Sequence, residues 1–189
     1  PAGLPDDLVV LQQPLDHIYQ VSSAVMDLFR GLDALNAIRL SGTRAEDWFI
    51  PEARQAMEDG QILYAGKYSA PDYELILSEG CDLVVENTMI FHSPDVKEQL
   101  ESLGIPVLVD RSSYEADPLA RMEWLKLYGV LLGKEAEAAA FFADLEARLA
   151  QSEAEKAELS TKYSNLQSGL AATGADAEKV QLLKEQYLA

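Results

Sequence analysis

Two histidines, one cysteine and a set of loop aromatics bound the chemistry open to this chain. His17 and His92 each lie near acids, yet neither stands at a metal-ligand spacing from the other. A lone loop histidine more often serves structure or faces solvent, so no metal is expected. Cys81 has no partner for an internal disulfide, and the short apolar strand after it makes it a small core residue. The stretch from Gly60 to Lys67 resembles a phosphate loop only superficially. It carries one residue too many before its Gly-Lys pair, and Tyr68 stands where Ser or Thr is needed. No nucleophile and base share a recognisable context. Neither catalytic residues nor a cofactor are therefore expected, and the reading leans against an enzyme.

What remains is binding chemistry. The segments that follow the expected strands span residues 12–19, 41–48, 66–69, 87–92 and 111–114. They hold aromatic surface in Tyr19, Trp48, Tyr68 and Tyr114, and polar or charged tips in Lys67, Asn87 and Arg111. Ser22 and Ser23 read as a helix start near the same edge. A flat, partly anionic macrocycle or metal chelate calls for both types: rings to stack on and charges to pair with. The bland alternative, that Trp48 and some tyrosines merely cover the sheet edge, stays open beside it.

The elements that must position these residues alternate between two periods. Short β-rich runs at Leu8–Leu11, Ala37–Leu40, Ile62–Ala65, Asp82–Glu86 and Val107–Val109 are separated by helical segments. After Ser22–Ser23, the residues Val25, Met26, Leu28, Phe29 and Leu32 favour one side of a helix. Ser93-Pro94-Asp95 is a cap, a first-turn proline and an acid, and Gly104 should stop the helix they start. Gly80 closes the helix before it. Short continuous strands alternating with helices predict a parallel sheet covered on both faces, a Rossmann-like α/β lobe over residues 1–117. In such a sheet ligands bind beyond the carboxyl ends of the strands.

Residues 118–150 change character. Asp117-Pro118 starts a helix with Leu119, Met122, Leu125, Tyr128 and Leu132, ended by Gly133. From Glu135 on, the pattern is helical and free of proline. Phe141, Phe142, Leu145 and Leu149 form one stripe, continued by Leu159, Tyr163, Leu166 and Leu170. Residues 173–176 read as a turn and Val180, Leu183 and Tyr187 as a returning stripe. The tail, 151–189, is thus expected to be a helical hairpin. Acids outnumber bases 32 to 15 for a net charge of -17, which argues against nucleic acid and anionic membrane surfaces as partners.

The ordered segments "SSAVMDLFRGLDALNAIRLSG", "AGKYSAPDYELILSEGCDLVVENT" and "LGIPVLVDRSSYEADPLARMEWLKLYGVLLGKEAEAAAFF" resemble a known family. They are similar to the amino-terminal lobe and interlobe helix of the ABC-transporter substrate-binding proteins for cobalamin, haem and ferric siderophores. The resemblance covers roughly residues 4 to 150. It implies non-covalent capture of an iron chelate, haem or corrinoid between two lobes, an ABC permease as partner, and a place at the extracellular face of a bacterial membrane or in the periplasm. The full-length form is expected to carry a lipid anchor; whether a second lobe completes the clamp, a partner binds the helical tail, or the lobe serves alone stays open. The resemblance also implies that Glu74, in the first turn of a short helix, is a peg that pairs with permease arginines. Without it, an acid there simply complements the helix dipole. Two other readings stand beside this one: a Rossmann-like lobe with a helical tail that binds another protein, and a small chelatase-like enzyme.

Overall fold

The computed structural model describes Pro5, residues 8–172 and Lys179, Leu182, Glu185 and Gln186. It divides into two compact units, residues 1–142 and 143–189. The first is a three-layer α/β lobe. Five strands, β1 (Ile18–Gln20), β2 (Ile38–Ser41), β3 (Leu63–Tyr64), β6 (Leu83–Glu86) and β7 (Val107–Val109), form one parallel sheet in the order β3-β2-β1-β6-β7. Register runs Ile18 beside both Ile38 and Leu83, and Val84 beside Val107. A separate two-stranded hairpin joins β4 (Gly66–Lys67) to β5 (Ala70–Pro71). Gly66 is obligatory there: its φ is 90°, and a Cβ would collide with the Ala70 carbonyl.

Helices α1 (Ser23–Gly31), α2 (Pro51–Glu58), α5 (Pro118–Leu132) and the first turns of α6 (Glu135–Ala172) share one apolar layer with the sheet. Helices α3 (Tyr73–Ser78) and α4 (Pro94–Ser102) share the other. Strand alternation produces both layers at once: Ile18, Leu83 and Val85 face the first, Tyr19, Leu40 and Val84 the second. Phe29 of α1 and Tyr128 of α5 meet with ring centroids 5.3 Å apart in a tilted pair at the centre of the first layer. Close packing extends to the turn between α5 and α6. A Cβ on Gly129 would lie 2.6 Å from the Ala138 methyl, so only glycine admits this approach.

Helix boundaries follow the local signals. Asp117 caps α5 by accepting from the amides of Leu119 at 2.7 Å and Ala120 at 3.1 Å, and Asp72 caps α3 by accepting from Leu75 at 3.0 Å. Gly133, with φ 65°, ends α5 in the left-handed conformation.

Three expectations need correction. Leu8–Leu11 is not a strand: Leu8, Val9 and Val10 are exposed, and the first strand is Ile18–Gln20. A connection from Leu11 to α1 would have been long, whereas β1 passes into α1 within two residues, the usual economy of a βα turn. Residues 18 and 19 are therefore sheet, not loop. Leu77 is exposed rather than sharing the buried side of α3, which Tyr73, Leu75 and Ile76 provide.

In the second unit α6 continues as a solvated helix. The pairs Asp144–Arg148 and Glu158–Lys162 sit at i, i+4, and Leu149, Leu159 and Leu166 are exposed. The expected turn at 173–176 and the stripe of Val180, Leu183 and Tyr187 lie outside the described residues. Among the described residues, no helix is long and apolar enough to cross a membrane.

Candidate functional site

Strand order reverses between β1 and β6: the chain moves to β2 on one side and, after β6, to β7 on the other. The crevice at the carboxyl ends of this pair is where an open parallel sheet accepts ligands. Backbone bonds hold it shut below. The amides of Val21 and Ser22 both donate to the Val85 carbonyl, at 2.9 and 3.2 Å, and Gly42 donates to Gln20 at 2.8 Å.

A buried polar floor lies directly beneath. Asp110, at the end of β7, accepts from the hydroxyls of Ser112 at 2.7 Å and Tyr128 at 2.8 Å, and stands 3.5 Å from the Ser22 hydroxyl. Burial, reinforced by the charge of Asp110, raises the Tyr128 phenol far above its ordinary range, so it stays protonated as the donor. The Gln20 amide donates to the Ser22 carbonyl, while its own oxygen is buried without a donor. Glu86, at the end of β6, is fully buried, and among the described residues neither carboxylate oxygen has a hydrogen-bond partner. Desolvation pushes it up to about 7; the Asn87 amide opposes this but falls short of hydrogen-bond geometry.

Above the floor the loops present large apolar side chains to solvent. Phe49 after β2 is 98% exposed, Met89 and Phe91 after β6 are 45% and 57%, and Tyr114 after β7 is 67%. The Tyr114 and Thr88 hydroxyls meet at 2.7 Å, joining the last two loops. A cavity of about 400 Å³ opens between the start of α1 and the β2 loop, lined by Ser23, Thr43, Asp47, Trp48, Phe49 and Ile50.

The sequence-predicted site residues separate into two groups. Lys67 in β4 and Arg111 after β7 are exposed, Tyr68 is half-buried next to Lys67, and Tyr114 is exposed after β7. Asn87 is committed to structure, since its side chain accepts from the Met89 amide at 2.8 Å and starts a short 3-10 turn. Tyr19, Ser22 and Trp48 are buried. Tyr19 donates to the Gly66 carbonyl at 2.9 Å, and its phenol is raised far above its usual range, first by burial. The Trp48 indole donates to Ser41 at 3.2 Å, which makes it a wall of the cavity anchored in the core. Sequence reasoning missed Phe49, Met89 and Phe91. Their signal was present: large apolar residues in loops immediately before the helix-starting prolines Pro51 and Pro94.

Glu74 is exposed on α3 and, like Asp95 on α4, takes part in no ion pair among the described residues. Both rim a groove of about 510 Å³ floored by Tyr73, Leu77, Val96 and Leu103. At the opposite end of the sheet, Asp16, His17 and Asp82 bring ligand-type atoms within 4.8 Å of one another. The Asp82 carboxylate there accepts from the amides of Asp16 and His17 at 2.9 and 3.1 Å, which makes it a staple between the starts of β1 and β6. Burial pushes the Cys81 thiol up to about 12, which favours the protonated thiol near neutral pH.

No family model matches the chain. It is 24% identical over 153 residues to an uncharacterized lipoprotein of Methanocaldococcus jannaschii, spanning 76% of this chain and 36% of that protein. Among solved structures it is similar to a periplasmic heme binding protein from Pseudomonas aeruginosa, with 20% identity and a TM-score of 0.60 over 78% of this chain and 49% of that one. An ABC-type Fe3+-hydroxamate transport system protein from Saccharomonospora viridis matches with 24% identity and a TM-score of 0.53, over 73% of this chain and 50% of that one. The periplasmic vitamin B12 binding protein of Vibrio cholerae matches with 13% identity and a TM-score of 0.50, over 80% and 52%. The chain thus spans about half the length of these binding proteins, and its fold is that of their amino-terminal lobe.

Proposed function

We propose, from this one-lobe fold, that the chain supplies one solute-binding lobe of a carrier that feeds an ABC importer, and that the solute is an iron chelate, haem or corrinoid. The observation that carries the reading is the pairing of a rigid buried floor at the β1–β6 reversal with the exposed Phe49, Phe91 and Tyr114 above it. Large apolar side chains without packing partners at a sheet's ligand edge are costly unless a solute or a second lobe covers them. The proteins of similar fold are described as binders of heme, Fe3+-hydroxamate and vitamin B12, which supports the same class. Capture is non-covalent: loop aromatics contribute contact area, and Lys67 and Arg111 contribute directional charge.

Docking to the permease falls to the α3 side of the lobe, with Glu74 as the charged contact. The lipoprotein description of the archaeal relative supports an anchored position outside the cytoplasmic membrane.

Calorimetric titration of this chain with haem, cobalamin and a ferric hydroxamate tests the reading. Binding in the micromolar range or weaker is expected, because one lobe desolvates only part of the solute. Sub-micromolar affinity, about -8 kcal/mol or better, means that one lobe suffices and the clamp is not needed. No binding of any of the three sinks the proposal.

A further inference from the structure

Within the second unit, α6 carries a heptad repeat. From Leu145 to Leu170 its seam residues recur at alternating steps of four and three. Positions d hold Leu145, Ser152, Leu159 and Leu166; positions a hold Leu149, Lys156, Tyr163 and Leu170. A stripe of this period, sustained over about four heptads, is the signature of a helix that pairs with another helix. Leu149, Leu159 and Leu166 are exposed, so this part of the seam meets solvent.

The two polar seam residues discriminate between partners. In a parallel pair of copies each layer joins a residue to its own counterpart, and two Lys156 ammonium groups would meet in the middle. In an antiparallel pair, a residues face d residues. Setting Leu149 against Leu166 of a second copy puts Ser152 against Tyr163 and Lys156 against Leu159. Each polar seam residue then meets an apolar or aromatic one. The Lys156 stem lies over Leu159 of the second copy while its charge reaches the edge.

Flanking charges fix the register. Arg148, Glu155 and Lys162 stand at position g and are exposed. In the register just given, Glu155 comes beside Lys162 of the second copy, and two-fold symmetry repeats the contact. On the other flank Glu146 and Glu153 come beside Gln167 and Ser160. A slip of one heptad in one direction sets Glu155 against Glu155 and Arg148 against Lys162. The opposite slip sets Lys162 against Lys162. Of these three registers, the central one alone brings opposite charges together, and the other two are penalised by like charges.

We propose that residues 145–170 of α6 pair with the same segment of a second copy of this chain as an antiparallel two-stranded coiled coil.

Sedimentation equilibrium of the full chain between about 1 and about 200 µM should show the mass per particle rising from one chain to two. A chain that stays single at the highest concentration overturns the proposal; the seam is then covered from within the chain or left bare. Orientation is read by cross-linking in a Cys81→Ala background. A mixture of Leu149→Cys and Leu166→Cys chains should form disulfides under mild oxidation, and either chain alone should form roughly tenfold fewer, because its two thiols lie about 25 Å apart. Either chain cross-linking alone as well as the mixture does means parallel pairing and overturns the proposal. Leu159→Glu with Leu166→Glu alters only exposed positions and should raise the dimer dissociation constant about tenfold or more. An unchanged dimer puts the contact elsewhere and overturns it. Glu155→Lys and Lys162→Glu should each weaken the dimer about severalfold at low salt, and the two together should restore it. A double variant that stays weak overturns the register and the proposal with it.

Discussion

The Tyr128 hydroxyl reaches 2.8 Å to the Asp110 carboxylate, so a side chain from the middle of α5 closes the polar floor at the end of β7. The same carboxylate takes the Ser112 hydroxyl on its other oxygen. Two distant segments therefore share one acceptor. Tyr128→Phe removes only a hydroxyl and leaves the ring pair with Phe29 in place. It should destabilise the lobe by about 1–3 kcal/mol, the cost of a buried carboxylate losing a donor. Urea denaturation at pH 7 measures this; a change within error means that Asp110 finds a replacement donor.

Glu86 sets a pH dependence of opposite sign to the common acidic group. Its folded value, about 7, lies above the ordinary 4.5, so the folded state holds the proton more tightly than the unfolded chain. The stability it contributes is fully present below pH 4.5. It is lost as pH rises through 7, and the curve levels off about one unit above that. Glu86→Gln keeps the neutral shape and should flatten this segment of the curve, making the variant more stable than the parent at pH 8 by up to about 3 kcal/mol. Melting curves of both proteins between pH 4 and 8 give the difference directly; a variant less stable than its parent at pH 8 would falsify the assignment of a proton to the buried carboxylate.

Phe49 and Phe29 should part company under the same substitution. Phe49→Ala removes a ring that touches almost nothing and should shift stability by less than about 0.5 kcal/mol. Phe29→Ala empties the centre of the first layer and should cost about 3–5 kcal/mol. Parallel denaturation curves decide it, and a costly Phe49→Ala would place that ring inside the fold.

Gly129 gives a steric test of the α5–α6 turn. Gly129→Ala adds one methyl where only 2.6 Å separates its Cβ from that of Ala138. Helix propensity alone favours alanine by about 1 kcal/mol, so a net loss of about 1–3 kcal/mol isolates the clash. Adding Ala138→Gly to the same protein should restore most of it. A stabilised single variant would show that the two helices separate freely.

Glu74→Gln should leave the melting curve almost unmoved, by a few tenths of a kcal/mol, because the group is exposed and contributes at most a helix-dipole term. On the proposed docking role, in a two-lobed carrier containing this lobe it should slow association with a permease and make that association less sensitive to salt. Transport assays at two ionic strengths read this out, and unchanged transport returns Glu74 to a helix-end acid.

Legibility in the sequence varied with the range of the interaction. Caps and stops such as Asp117, Gly104 and Gly133 act within a turn of their own position, and they were readable one by one. The strand ending at Glu86 and the one from Val107 to Val109 were readable because continuous apolar runs have few uses other than a buried parallel sheet. The first strand was not. "LVVL" satisfies every local rule, yet its first three residues are exposed, while "IYQ" is short, ends in a buried glutamine, and is a strand only because β2 and β6 flank it. At the candidate site, residue type nominated Lys67, Arg111 and Tyr114, which are exposed. It could not separate Tyr19 and Trp48, whose polar tips are satisfied inside the core, from Phe49, which has nothing polar to satisfy and is fully exposed. That distinction depends on tertiary partners no local window contains.

The shared acceptor Asp110 also orders events on the ribosome. Ser22 leaves the exit tunnel first and waits for Asp110, 88 positions later. Asp110 then needs Tyr128, another 18 positions on. A nascent chain paused before α5 holds every strand of the sheet, yet it must either bury an under-satisfied carboxylate or leave that end open. Emergence of Tyr128 from the exit tunnel should therefore be the step at which the lobe becomes resistant to protease. Ribosomes stalled before that emergence should display a protease-sensitive lobe, and those stalled after it a resistant one.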